Sequence, residues 1–220
     1  MAPQVAAALT PPVLTGAAVA VLLLLIVAAR SVEVLDTIVH EGGHMVVGSL
    51  VGLRLRNFEI EASGGAVTRF DPTRWRWGPA RILSAMAGYS APPLLGLGGA
   101  ALLAAGRAWP LLWTAVVLLV LAWIKAVGEL TSFVVVLLAA AVGYVAIYGS
   151  PTLQAGVAAG LVWLLLFSGL RSAAMIPMQS SKSDAAALAR DTLIPRQIWK
   201  AGFVVFALYC LWKGFLLLAP

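Results

Sequence analysis

Long apolar runs broken by short polar segments set the pattern of this chain. Runs at 12–29, 34–53, 80–105, 109–124, 130–148, 152–170 and 197–218 each approach the roughly 20 residues a helix needs to cross the hydrocarbon core of a bilayer. The stretch from 130 to 170 carries no charge and is too long for one crossing. Gly149-Ser150-Pro151 is its predicted turn, because glycine ends helices and proline opens them. The expected fold is therefore an all-α polytopic membrane protein with about seven transmembrane helices. One segment breaks the helical pattern. After the second run, Leu55, Phe58 and Ile60 sit among Arg56, Glu59 and Glu61, then Ser63-Gly64-Gly65 interrupts, and a second short run follows at 66–70. Two strand-like runs about a glycine turn predict a small β-hairpin after the second helix. Its free edge would suit an extended peptide. Within the third run, Gly88-Tyr89 and Pro92-Pro93 predict a kink, since proline frees backbone carbonyls.

Composition agrees with lipid as the main solvent. Of 220 residues, 61% are hydrophobic and 11% charged, with mean hydropathy +0.96, whereas a soluble domain carries about a quarter charged residues. No polar stretch is long enough for a separate soluble unit, so 1–220 reads as a single membrane-embedded domain. The net charge of +6 does not point to nucleic acid, because the basic residues fall in short loops between apolar runs. Arg54, Arg56, Arg69, Arg74, Arg76, Arg81, Lys125, Arg171, Lys182, Arg190, Arg196 and Lys200 occupy alternate loops; only Arg30 and Arg107 fall in the opposite set. The positive-inside rule then places the loops at 54–81, 125–129 and 171–196, and the N-terminus, in the cytoplasm. The N-terminus lacks a basic n-region, so the first apolar run reads as a retained helix, not a cleaved signal. Arg74-Trp75-Arg76-Trp77 suits an interfacial anchor, with rings half in water and cations near lipid phosphate. A lone Cys210 in an apolar stretch excludes an intramolecular disulfide and reads as packing.

The chemistry concentrates in His40-Glu41-Gly42-Gly43-His44, which holds both histidines of the chain. On a helix, HExxH sets two imidazoles one turn apart on one face, the spacing that grips one zinc ion. The glutamate between them lies where it can accept a proton from water at the ion. A charged pentad in an apolar run is costly to bury, and so marks a functional site. A catalytic zinc takes three protein ligands and keeps an open position. Asp36 lies one turn before His40, but three groups on successive turns, each about 5.4 Å further along the axis, cannot converge on one ion. It is better placed to accept from the other nitrogen of His40, and Glu33 is more distant still. Glu59 and Glu61 belong to the hairpin, Asp71 to a turn, and Glu129 to a helix start. Asp184 and Asp191 remain. Ser183-Asp184 opens a short helical run, so amides at its start could orient the Asp184 carboxylate, which makes it the favoured third ligand.

An HExxH in a membrane helix, a following hairpin and a distant aspartate resemble the site-2 protease family of intramembrane zinc metalloproteases, in particular its compact bacterial branch without a PDZ domain. Gly88-Tyr89-Ser90-Ala91-Pro92, and Ser183-Asp184 leading to Leu188-Ala189, Thr192, Ile194-Pro195 and Trp199, carry the resemblance further. It implies Zn2+ bound by His40, His44 and Asp184, Glu41 as general base, a membrane protein or peptide as substrate, and residence in a bacterial inner membrane. Where the family's best-known members have a Leu-Asp-Gly type motif, this chain has Ser-Asp-Ala. The rival reading is a non-proteolytic membrane protein, a transporter or scaffold, with a structural or vestigial metal site. The absence of internal repeats argues mildly against transport.

Overall fold

The structure, a computed structural model, describes residues 8–27, 29–60, 66–71, 78–181 and 183–219. The interfacial anchor expected at 72–77, the hairpin's glycine turn with Glu61, and the side chains of Arg30 and Glu33 lie outside the described residues. The elements run α1 (Pro11–Val27), α2 (Ala29–Leu50), β1 (Leu55–Ile60), β2 (Ala66–Phe70), α3 (Gly78–Ala104), α4 (Ala108–Lys125), α5 (Glu129–Tyr148), α6 (Pro151–Ala174), α7 (Asp184–Thr192) and α8 (Arg196–Leu218). Each apolar run of the sequence lies on one of these helices. Four of them, α4, α5, α6 and α8, are long and apolar enough to cross a membrane, and α1 is a shorter apolar helix. Their outward surfaces are greasy, with Leu23, Val117, Leu121, Phe133, Leu137, Val205 and Phe215 all exposed. An apolar exterior this extensive is what lipid, and not water, requires. The chain is a membrane protein.

Local chemistry sets the boundaries. Between α5 and α6 the turn falls where expected: Gly149 caps α5, Ser150 accepts a hydrogen bond from the Leu153 amide at 3.2 Å, and Pro151 opens α6. A Cβ on Gly149 would lie 2.5 Å from the Val145 carbonyl oxygen, so the tight turn needs glycine. The fully buried Gln154 then turns its side-chain NH2 to the carbonyls of Val145, Ala146 and Gly149, which share its two hydrogens at the open end of α5. At Pro92 and Pro93, α3 continues as one helix. Both prolines are buried, and Pro93 Cδ would lie 2.7 Å from a Cβ on Gly169 of α6. Small residues let two backbones approach in this way.

The hairpin forms with β1 and β2 antiparallel, Leu55 opposite Phe70 and Ile60 opposite Ala66, and a register shift between Leu55 and Asn57. Glu59 and Arg69 pair at 2.8 Å on its exposed side. Three apolar clusters hold the helices together. The largest joins α1, α3, α4, α5, α6 and α8 around Leu112, Val162 and Leu166. A second sets Ile38 and Met45 of α2 against Leu119, Ala122 and Val135. The third seats α7, with Ala185 and Leu188 packed on Ala85, Ala173, Ile176 and Phe203.

Candidate metal centre

The histidine pentad lies in the middle of α2, which carries 22 residues and no proline. Helical spacing stacks His40 and His44, and their Nε2 atoms are 3.2 Å apart. The second element is α3, whose Ser84 carbonyl receives His44 Nδ1 at 2.7 Å, while the Ser84 hydroxyl donates to the His44 carbonyl at 3.4 Å. A carbonyl only accepts, so Nδ1 carries a proton, and Nε2 is the ring nitrogen left facing the centre. Gly88, one turn along α3, lies directly against both rings. A Cβ there would stand 2.5 Å from His44 Nε2 and 2.7 Å from His40 Nε2. Its neighbour Tyr89 meets His40 edge to face, centroids 4.5 Å apart.

The third element is α7. Ser183 caps it, its side-chain oxygen accepting from the Ala186 amide at 3.3 Å, so Asp184 begins the helix as its N-cap chemistry predicts. The segment before it packs against α3 and α8, burying Ile176, and this brings a carboxylate from the start of α7 to histidines within α2. Asp184 Oδ2 lies 3.0 Å from His40 Nε2 and 3.3 Å from His44 Nε2. Burial opposes the charge of this carboxyl, but the two imidazoles outweigh it and hold the group well below the usual carboxylate range. It is therefore an anion, the form that ligates metal.

His40, His44 and Asp184 together could hold a metal ion. The three atoms form a triangle with edges of 3.2, 3.0 and 3.3 Å. Tetrahedral zinc with bonds of 2.0–2.1 Å to nitrogen and oxygen requires ligand separations of about 3.3 Å. The donor set, two imidazoles and a carboxylate, also suits zinc. Side-chain exposures of 16% for His40, 11% for His44 and 19% for Asp184 leave the group largely shielded but not sealed. Glu41 is buried beside it, within electrostatic reach of His44. The Glu41 backbone carbonyl accepts from the Thr68 hydroxyl at 3.4 Å, so β2 lies against the motif helix.

Other acids expected from the sequence find different partners. Asp191 does not join the group; its Oδ1 meets Arg81 Nη2 at 2.7 Å. Asp36 is buried and accepts from the Ser168 hydroxyl of α6 at 2.7 Å. Asp71 is tied through its amide to the Arg54 carbonyl at 2.8 Å, and Glu129 sits in the first turn of α5. Cys210 is buried in the largest apolar cluster. Sequence reasoning missed the parts played by Gly88 and Ser84. Gly88 had a signal in its place beside a proline-rich stretch, but read as a kink. Ser84 contributes a backbone carbonyl, which no residue type announces.

The chain is thus a membrane-embedded helical protein in which a His-Glu-x-x-His and a distant carboxylate could together hold a metal ion. The family model for Peptidase M50B-like proteins matches residues 13–214, and the chain belongs to that family. This agrees with the resemblance to site-2 proteases and leaves no stretch between those residues for a PDZ domain. No curated protein and no solved structure matches the chain.

Proposed function

We propose that the chain is an intramembrane zinc metalloprotease that hydrolyses peptide bonds in membrane-embedded or membrane-proximal substrates. The observation that carries this reading is the convergence of His40 Nε2, His44 Nε2 and Asp184 Oδ2 beside a buried Glu41, in a chain of a peptidase family. The three side chains hold the ion, which when bound supplies a Lewis acid that polarises the scissile carbonyl and lowers the pKa of water. Glu41 is the general base. Its carboxylate accepts the proton of the attacking water and passes it to the leaving amine. The Ser84 carbonyl keeps a proton on His44 Nδ1, so Nε2 is the nitrogen directed inward.

Peptide carbonyls in a transmembrane helix are occupied by the helix's own hydrogen bonds, so the substrate has to unwind before hydrolysis. An unwound segment can pair along an edge of the two-stranded sheet, which Thr68 fastens to the backbone of Glu41. The charge pattern supports seven spans with the N-terminus in the cytoplasm; the lack of a long polar stretch supports one membrane-embedded domain, and the resemblance to the compact bacterial branch supports a bacterial membrane and a membrane protein or peptide as substrate.

Purified chain assayed on a membrane-protein substrate tests the reading. Glu41→Gln is expected to keep its zinc and lose about 10²–10⁴ of the cleavage rate, the usual worth of a general base. His40→Ala loses the zinc as well. Cleavage by Glu41→Gln at the wild-type rate would remove Glu41 from the chemistry. Tight zinc binding with no cleavage of any membrane substrate would favour a non-proteolytic role.

A further inference from the structure

Asp184 reaches the histidines only because α7 is held in place, and α7 is poorly equipped to hold itself. It has nine residues, whereas isolated helices below about 12–15 residues are marginal. Its buried apolar side chains are Ala185, Ala186 and Leu188. The Arg81–Asp191 pair supplies what they lack. Arg81 is in the first turns of α3, the helix that also presents Ser84 and Gly88 to the imidazoles. Asp191 is on the last turn of α7, seven residues beyond Asp184 and so about two turns along the same face. The 2.7 Å contact is charge-assisted and partly shielded, with side-chain exposures of 29% for Arg81 and 15% for Asp191.

We propose that Arg81 and Asp191 form a latch that positions the third metal ligand, fastening the far end of α7 to the helix that orients His44. The proposal rests on the reading of His40, His44 and Asp184 as a metal centre. Both residues are positioning residues, acting on the site through Asp184. A second fastening runs through aromatic rings. Trp199 Nε1 donates to the Thr192 hydroxyl at the end of α7, at 3.1 Å, and Trp199 packs on Phe203. Phe203 in turn packs on Tyr89, and Tyr89 on His40. The latch and the ring series both join the end of α7 to the elements that frame the imidazoles. Arg190 and Arg196 donate to the carbonyls of Ser181, Met178 and Ser180, which steadies the loop entering α7. The described residues of that loop lack regular structure, and the pair at 81 and 191 adds an ionic contact between α7 and α3.

Arg81→Gln, Asp191→Asn and the double variant, made in the full chain in detergent, decide the matter through two readouts. Hydrogen exchange across 184–192 reports how firmly α7 is seated, and zinc affinity by chelator competition reports the site. Each single substitution is expected to speed exchange there and to weaken zinc about 10- to 100-fold, the usual effect of losing a group that orients a ligand. The double variant is expected to be no weaker than the weaker single, because two partners of one contact are not additive. Wild-type exchange in the single variants, faster exchange with undiminished affinity, or a double loss equal to the product of the singles would overturn the latch. A wild-type chain that takes up no zinc would instead sink the proposed function, while the exchange comparison would still decide whether the pair seats α7.

Discussion

Two adjacent glycines within the histidine pentad have opposite surroundings. A Cβ on Gly42 meets nothing within 4 Å, whereas one on Gly43 lies 2.6 Å from the Ala87 carbonyl oxygen and 2.7 Å from the Ala91 Cβ. Gly43→Ala therefore pushes α2 away from α3, and Gly88→Ala pushes directly on both imidazoles. Gly42→Ala is expected to retain zinc and activity, while Gly43→Ala and Gly88→Ala each lose at least about tenfold in zinc affinity, measured by chelator competition. Equal affinities in all three would mean that the close approach of the helices does not frame the site. The same residues show what could be read in advance. The His40–His44 spacing is a local property of a helix and needs no tertiary knowledge. Glu41 and the favoured Asp184 followed from chemistry and cap position. Gly88 stood out within its motif, but its place against the two rings was not legible, because that depends on which atoms of a second helix arrive beside it. Asp36 also accepts from Ser168 of α6, a residue 132 positions away, a contact that no local signal announces.

At the scale of elements, local signals performed well wherever the signal was itself local. The turn at 149–151, the hairpin and the start of α7 all depend on glycine, proline, serine or alternation within a few residues. Pro92 and Pro93 were read for their local effect, as a kink; α3 runs through them as one helix, and what the sequence did not show is that they face Gly169 of α6. That outcome is set by the partner helix. It predicts an asymmetry along α6: Gly169→Val meets Pro93 and costs about 1–3 kcal/mol by overpacking. Gly156→Ala, with nothing within 4 Å, leaves stability unchanged or raises it by up to about 1 kcal/mol through helix propensity. Thermal unfolding of the two variants in one detergent checks the contrast. Equal losses would show that the α3–α6 seam is more yielding than its close contacts suggest.

For the molecule as a whole, apolar content announced the membrane, and the helices confirm it, since α4, α5 and α8 turn much of their surface outward. The count of spans was less legible. The chemistry of α2 and the glycines and prolines of α3 lower the apolar density by which a crossing is recognised. The proposed ion links elements from the two ends of the chain, so it should stabilise the entire fold. Zinc at about a hundred times its Kd adds about 2.7 kcal/mol. Stripping the protein with a chelator is expected to lower its Tm, and readdition of zinc to restore it, whereas Asp184→Asn shows a much smaller shift. An unchanged Tm in the wild type would argue against an ion shared between α2 and α7.

Asp184 follows His44 by 140 residues, and that order has a consequence during biosynthesis. A ribosome translating this chain finishes both imidazoles early and the carboxylate late, so under the proposed reading no nascent or prematurely terminated product can assemble a working centre. Until α7 has emerged and docked, the histidine helix sits among other newly inserted proteins without the means to cut them.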